Sequence, residues 1–333
     1  MLNVYLDQWV WINLARAAAG RGASAEWADA LATVRWASEH HLAAFPLSRT
    51  HYEETKHMPR EDQRQTVGRL MLEISRGHRM IGPSDKLVMA EFTTALSRWA
   101  ARPLPIQELD VRIFGTGMGF VYDHRPVIGK IVRRDGQPMT HDQLAIAAAI
   151  EPVANALAEE VFLCGPPRSV DIPGYDPNAD RRLAAEFVLI QEEHARRFSQ
   201  NRSDRDHQAS VLAAAEWIQI APMAVQTLVN AGIDPDDFFL QGKQFLTDFL
   251  ETMPVVHAGL TLRTLQHQNP QRPWDPNDFH DIESLSVAIV HCDIVFAERH
   301  WGHMLRRARL PEKHQTAMVI SPRKLIAQLV GGH

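Results

Sequence analysis

Both ends of the chain alternate short apolar segments with amphipathic segments, and this alternation restricts the possible folds more than any other feature. Residues 2–6 form a short apolar run, residues 25–40 place apolar side chains at helical spacing, and residues 41–46 form a second apolar run. Strands and helices that alternate in this way build parallel sheets covered by helices. The alternation returns over residues 277–333. We therefore expect an α/β fold with a central parallel sheet flanked by helices.

The middle of the chain is different in character. Long helical segments dominate it, a Pro/Gly-rich loop separates two of them at residues 165–177, and residues 121–134 have the turn signals of a hairpin. The alternating pattern is absent from this stretch. We therefore divide the chain into a discontinuous α/β core of residues 1–100 and 246–333 and a mostly α-helical insertion of residues 101–245.

Composition excludes several classes of protein. The chain has 333 residues with 35 basic and 40 acidic side chains, a net charge of −5, so bulk charge does not drive it onto nucleic acid. Its two cysteines, Cys164 and Cys292, are too few for a disulfide framework. The first residues lack the basic start of a signal peptide, and no apolar run has the length of a membrane span. We expect a cytoplasmic protein without a membrane partner.

Four acidic residues occupy corresponding places in the predicted α/β elements. Asp7 ends the first strand, Glu54 lies in the helix after the second strand, Asp281 begins a helix, and Glu298 follows a strand at residues 293–297. Functional groups of parallel sheets collect beyond the carboxyl ends of the strands. We therefore expect these four carboxylates to face one crevice.

A cluster of this kind predicts a metal site. Carboxylates at close range repel one another unless a cation joins them, and hard oxygen ligands suit Mg²⁺ or Mn²⁺. Such a site supports phosphodiester hydrolysis. Taken singly, each acid has an ordinary alternative: a turn residue for Asp7, a solvated helix position for Glu54, an N-cap for Asp281, and an ion pair with Arg299 for Glu298.

Neighbouring polar residues leave alternatives open. Glu53 would replace Glu54 if the helix phase differed by one residue. Further side chains would either support the metal ligands through hydrogen bonds or cap helices and strands. These candidates are Asp278, Asp293, Ser48 and Asn277.

Four segments of the chain resemble the motifs of PIN-domain nucleases. They are residues 4–12, 46–55, 277–288 and 292–298. The resemblance implies a PIN-like three-layer fold and a metal-dependent endonuclease that leaves a 5′ phosphate and a 3′ hydroxyl, with RNA favoured over DNA. It also implies the metal ligands Asp7, Glu54, Asp281 and Glu298.

The resemblance has departures that suggest a second hypothesis. Gln8 and Trp9 follow the first acid where the family has small polar residues, and the insertion is larger than in the small family members. A PIN-like scaffold that binds nucleic acid or protein with little catalysis would also tolerate these changes. The insertion would set substrate access or bind a protein partner.

Basic and aromatic side chains near the acids suggest contacts to nucleic acid. A basic group after the fourth acid would hold backbone phosphates, or else form a solvated face. Trp9 and Trp11 flank the helix after the first acid, where one of them would stack on a base or both would pack in the core. The basic group consists of Arg299, Arg306, Arg307, Arg309, Arg323 and Lys324.

Overall fold

The computed structural model describes residues 1–76, 79–101, 112–123, 140–165, 178–199, 204–269 and 271–331. Residues 124–134 of the predicted hairpin and residues 166–177 of the predicted loop lie outside these ranges. The elements in chain order are β1 (Leu2–Leu6), α1 (Gln8–Ala18), α2 (Ala25–Glu39), β2 (Ala43–Ala44), α3 (Arg49–Lys56), α4 (Glu61–Ser75), β3 (Met80–Ile81), α5 (Ser84–Trp99), β4 (Phe114–Gly115), α6 (Met118–Val121), α7 (His141–Cys164), α8 (Ala179–Ser199), α9 (Arg205–Asn230), α10 (Pro235–Phe239), α11 (Lys243–Glu251), α12 (Pro254–His267), α13 (Pro276–His291), β5 (Ile294–Phe296), α14 (Arg299–Arg307), α15 (Leu310–His314), β6 (Ala317–Val319) and α16 (Pro322–Gly331).

Four parallel strands form the central sheet, in the order β2–β1–β5–β6. Val4 of β1 pairs with Ile294 of β5, so the first and last parts of the chain meet in adjacent strands. A short antiparallel pair, β3 and β4, lies beside this sheet, where Leu47 and Met80 form a parallel bridge. The predicted α/β class, with a parallel sheet flanked by helices, is confirmed.

Both faces of the central sheet are buried, because alternate side chains of each strand enter different apolar clusters. Val4 and Leu6 point into a cluster formed with α1, α2, α4 and α16. Tyr5 points the other way, into a cluster formed with α12, α13 and α14. β5 alternates in the same manner, with Phe296 on the first face and Val295 on the second. Packing on both faces fixes the strand ends from which the acids project.

The described helices of the predicted insertion pack directly on the core. α7 contacts α3 and α4, and α8 contacts α13. Phe187 of α8 lies with its ring 5.6 Å from that of Trp274 and 5.3 Å from that of Phe279. α3 and α13 carry two of the predicted acids, so helices of the insertion flank the region where the acids gather.

A third apolar cluster joins α9 to α5, α11 and α12. Phe92, Trp217 and Phe249 meet there with ring centroids between 5.5 and 6.3 Å apart. By length and composition, α9 alone among the described helices could span a membrane. Its residues Trp217 and Leu228 are buried within this cluster, whereas Ile218 and Val229 are exposed, so α9 packs inside the fold through part of its apolar surface.

Candidate active site

A pocket of about 650 Å³ opens beyond the carboxyl ends of β1 and β5. Asp7 follows β1, Glu298 follows β5, Glu54 lies on α3 and Asp281 lies on α13. All four side chains line this pocket. β1 and β5 are neighbouring parallel strands, so their ends bring residues from opposite ends of the chain to one place.

Two backbone hydrogen bonds hold Asp7 beside β5. The Asp7 N–H donates to the carbonyl oxygen of Phe296 at 2.9 Å, which continues the pairing of β1 with β5. The N–H of Glu298 donates to the Oδ2 atom of Asp7 at 3.2 Å. Asp7 is 5% exposed and is the N-cap of α1. Its carboxylate is therefore held between the end of β5 and the start of α1.

The buried His51 ring connects α3 to the end of β1. The Ser48 N–H donates to His51 Nδ1 at 2.9 Å, so the ring proton is on Nε2, which donates to the Leu6 carbonyl oxygen at 2.8 Å. Burial lowers the pKa of His51 to about 4, which keeps the ring neutral near pH 7. Leu6 precedes Asp7, and Glu54 lies about one turn beyond His51. This contact therefore sets the position of one carboxylate relative to the other.

A tryptophan from the helix after β5 orients Asp281. Trp301 Nε1–H donates to the Oδ2 atom of Asp281 at 2.7 Å, and the Trp301 side chain is fully buried. The Arg272 guanidinium lies over the Trp301 ring, 5.4 Å from its centroid. Trp301 belongs to α14, whose N-cap is Glu298. One helix therefore positions both acids of the C-terminal part.

The carboxylates of the pocket disfavour one another's ionisation. Burial, and to a smaller extent the charge of Glu298, raise the pKa of Asp7 to about 6, against the lowering effect of hydrogen bonds from the Glu298 and Gln8 N–H groups. Burial and the charge of Asp7 raise the pKa of Glu54 well above its usual value. Burial, followed by the charges of Asp7 and Glu54, does the same for Asp281. A bound cation would relieve this repulsion.

The donor chemistry of the pocket suits a hard divalent cation, because four carboxylates from rigid elements supply oxygen ligands. The side chains are not arranged as a compact ligand set. Across the described ranges, no group of three or more His, Cys, Asp or Glu side chains has the arrangement of a metal site. Binding would therefore require the carboxylates to rotate toward a shared ion.

Of the two adjacent acids on α3, Glu54 faces the pocket and Glu53 does not. Glu53 is buried on another face of the helix, where the Tyr122 hydroxyl donates to its Oε1 atom at 2.8 Å and Lys56 forms an ion pair with it. Glu54 lines the pocket and Glu53 does not. Glu53 therefore links α3 to α6 rather than serving as the second acid.

Asp278 and Asn277, two of the supporting candidates, lie at the start of α13. Asp278 is fully buried, accepts from Arg272 Nη2 at 2.6 Å and from the Asp275 N–H at 2.9 Å, and so caps the helix. Its charge also contributes to the raised pKa of Asp281. Asn277 is exposed and lines the pocket. Asn277 is thus the supporting candidate with direct access to the pocket.

Ser48 and Asp293 have structural partners away from the pocket. Ser48 is the N-cap of α3, and its hydroxyl lies 2.6 Å from the Thr50 hydroxyl. Asp293 precedes β5 and accepts from the Asn3 N–H at 2.7 Å. Asp293 therefore lies at the amino end of the strand, at the edge of the sheet opposite to the pocket. The two side chains fill the capping roles that the sequence left open.

The predicted basic group does not line the pocket. Arg306 is half-buried and donates to the Met318 carbonyl oxygen at 2.8 Å. Arg307 donates to Gln268 Oε1 at 3.2 Å. Arg299 and Arg323 are exposed outside the pocket. Helix α14 starts at Glu298, but none of its arginines is among the residues that line the pocket.

Arg181 is a pocket residue that the sequence did not reveal. It lies on α8, lines the pocket, and donates through Nη2 to the His57 carbonyl oxygen at 3.1 Å, just beyond the helix that carries Glu54. No sequence motif marks it, because its position depends on how the insertion packs against the core. Trp9 also lines the pocket and is 38% exposed, whereas Trp11 is fully buried.

Comparison of the chain with protein-family models, with curated proteins and with solved structures gives no significant match.

Proposed function

We propose that this chain is a metal-dependent endonuclease of the PIN-domain type, which hydrolyses phosphodiester bonds with Mg²⁺ or Mn²⁺. The observation that carries the proposal is one pocket beyond the ends of parallel strands, lined by Asp7, Glu54, Asp281 and Glu298 from both ends of the chain. The preference for RNA over DNA, and products with a 5′ phosphate and a 3′ hydroxyl, are what the family resemblance implies.

A PIN-like three-layer core is part of the proposal. Residues 1–100 and 246–333 would form it, and residues 101–245 would be a mostly helical insertion. Direct pairing of β1 with β5 supports a core built from two distant parts of the chain. The insertion would contribute Arg181 to the pocket and offer a surface for a protein partner.

The four carboxylates would hold the cation, which when bound neutralises their charge and polarises a phosphoryl oxygen of the substrate. Asp7 and Asp281 are held at the pocket by hydrogen bonds from the Glu298 N–H and from Trp301 Nε1–H, and their carboxylates would rotate from these positions to bind the ion. Glu54 would bind the cation directly or through a water molecule. Arg181 would orient a phosphate through the N–H groups that remain after its bond to the main chain.

The test is cleavage of labelled RNA and labelled single-stranded DNA with Mg²⁺ or Mn²⁺, using native protein, Asp281→Asn and Glu312→Gln. Asparagine keeps an oxygen that accepts from Trp301, so Asp281→Asn removes charge with little change in packing. Glu312 is an exposed acid in the first turn of α15 and serves as the matched control. We expect native protein and Glu312→Gln to cleave equally, and Asp281→Asn to be slower by on the order of 100-fold or more. Equal cleavage by native protein and Asp281→Asn would point to a contaminating nuclease.

A second candidate function is a PIN-like scaffold that binds nucleic acid or protein without cutting. The open arrangement of the carboxylates in the described part of the chain favours it, as do Gln8 and Trp9 after the first acid. Binding of labelled RNA without cleavage in either metal, together with no heat of Mn²⁺ binding in calorimetry, would favour this function over the nuclease.

A further inference from the structure

A shallow basic cavity adjoins the acidic pocket along α1. It has a volume of about 170 Å³, and Ile12 lines both the cavity and the pocket. Arg16, Arg21 and Arg60 line it, and we call these three residues the arginine patch. Among the described residues that form this cavity there is no acidic side chain. A continuous surface therefore leads from the four carboxylates to a cluster of cations.

The outer face of α1 forms this connection. Trp9, Ile12 and Arg16 are spaced by three and then four residues, which places them on one side of the helix. Trp9 and Ile12 line the acidic pocket, and Arg16 lies at the other end of the same face. At 1.5 Å per residue the distance along the helix from Trp9 to Arg16 is about 10 Å. A chain of phosphates lying on this face would reach the arginine patch a short way from the pocket.

The turn after α1 and the start of α4 complete the patch. Gly20 and Gly22 adopt positive φ angles of 64° and 63°, which allow a tight turn, and the Arg21 N–H donates to the Arg16 carbonyl oxygen at 2.9 Å. The carboxylate of Asp62 then accepts from Arg21 at 3.2 Å and from Arg60 at 2.8 Å. One acid thus orders two guanidinium groups, and three arginines against one aspartate leave a positive excess.

The patch retains the capacity to bind an anion. The side chains of Arg21 and Arg60 are 61% and 70% exposed, and Arg16 is exposed as well. Each guanidinium has five N–H donors, so the bonds to Asp62 leave donors for a ligand. Arg16 alone would be explained by its favourable position at the carboxyl end of α1. Arg21 and Arg60 share Asp62 as their acidic partner, and the two of them extend the positive charge beyond the helix end.

We propose that the arginine patch binds the backbone phosphates of the nucleic-acid strand whose scissile bond lies in the acidic pocket. The inference rests on the proposed nuclease function and adds the path of the substrate along α1. Arg181 is the only arginine or lysine among the described residues that line the pocket, so further attraction for the phosphates on either side of the bond to be cut would come from cations outside it. Guanidinium groups bind phosphate through paired N–H donors, and the chain has a net negative charge that cannot supply this attraction in bulk.

The test measures how binding of a short labelled single-stranded RNA, and of DNA of the same sequence, depends on salt. Binding is measured on the Asp281→Asn background, so that cleavage does not interfere. The triple substitution Arg16→Gln, Arg21→Gln and Arg60→Gln is compared with Arg98→Gln, Arg196→Gln and Arg197→Gln. The second triple makes the same charge change at exposed arginines that do not line the pocket, and two of them share one acid, Glu193. For the first triple we expect the slope of log affinity against log salt concentration to become shallower by about 2, since each phosphate contact on a single strand contributes about 0.7. The second triple should keep the parent slope.

An unchanged slope in the first triple, with an unfolding midpoint equal to that of the parent, would overturn the proposal. So would an equal loss in both triples. If the salt slope becomes shallower only in the first triple and native protein does not cleave, the role of the arginine patch would be supported and the endonuclease rejected. Cleavage by native protein, with the same salt slope in both triples as in the parent, would support the endonuclease and reject the role of the arginine patch. If the protein neither binds nor cleaves, both proposals are rejected.

Discussion

Asp7 carries a negative charge that the folded chain disfavours. Burial is the main reason that its pKa rises to about 6 from an ordinary value of 3.8. An acid whose pKa is higher in the folded state binds more protons there than in the unfolded state between these two values. The contribution of the Asp7 carboxyl to the free energy of unfolding is therefore fully present below about pH 4 and is lost as the pH rises to about 6. The folded chain gives up stability at neutral pH to keep this carboxylate in the pocket.

Replacing Asp7 by asparagine should recover that stability. The amide keeps an oxygen to accept from the Glu298 N–H and removes the charge. Without divalent metal, we expect the free energy of unfolding of Asp7→Asn to match that of native protein near pH 4 and to exceed it by on the order of 2–3 kcal/mol above pH 6. Denaturant unfolding across this pH range measures the difference. If the difference in free energy of unfolding between Asp7→Asn and native protein did not change with pH, the raised pKa assigned to Asp7 would be contradicted.

The sequence predicted that the four acids face one crevice, and all four line one pocket, but their immediate surroundings could not be predicted. Asp7 and Glu298 each follow an apolar strand, and the ends of parallel strands collect functional groups. Glu54 and Glu53 are adjacent and equally polar, so their roles depended on which face of α3 was buried. The Tyr122 hydroxyl and Lys56 decide this by engaging Glu53. Lys56 lies three residues after Glu53 on the same helix, but the contact with Tyr122 comes from the tertiary fold and does not follow from residue spacing.

At the scale of elements, His51 is the contact that joins α3 to β1. We expect His51→Phe, which keeps a ring but leaves the Leu6 carbonyl oxygen and the Ser48 N–H without partners, to cost about 1–3 kcal/mol for each buried group left unpaired. Because Glu54 would lose its fixed distance from Asp7, kcat should fall on the order of 10-fold or more while KM changes little.

His51→Gln is the matched variant for this contact. Its amide N–H can reach toward the Leu6 carbonyl oxygen, so it should restore part of kcat, which a loss of packing alone would not predict. The measurement is steady-state cleavage at a temperature where all variants are folded. If His51→Phe kept the kcat of native protein, the hydrogen bond from His51 to the Leu6 carbonyl oxygen would not position the carboxylates.

Helices with a clear apolar period were predicted well, whereas short strands that form only through pairing with other strands were not. The amphipathic period of residues 25–40 predicts α2 (Ala25–Glu39), and Ser48 correctly marks the start of α3. β3 (Met80–Ile81) was missed because its two residues form a strand through the bridge to Leu47 and the pairing with β4. Such pairing comes from the tertiary fold, which a residue pattern of this length does not encode.

At the scale of the whole molecule, the sequence predicted which chain ends meet but not how the middle packs on them. α8 contacts α13 and thereby brings Arg181 to the acidic pocket. The basic group near Glu298 was expected at the substrate, and none of its members lines the pocket. The arginine patch lies at the carboxyl end of α1. The sequence alone does not reveal that Arg60 joins Arg16 and Arg21 there, because Arg60 comes from a distant part of the chain.

In the proposed site, carboxylates from both ends of the chain share one cation. Titration of Mn²⁺ into metal-free protein by calorimetry tests it, with native protein, Asp7→Asn, Asp281→Asn and Glu312→Gln. We expect native protein and Glu312→Gln to bind equally. Asp7→Asn and Asp281→Asn should each lose the same binding event, because each removes a ligand of one site. Native protein that binds no Mn²⁺, or Asp7→Asn and Asp281→Asn variants that both bind it as tightly as native protein, would contradict the shared site.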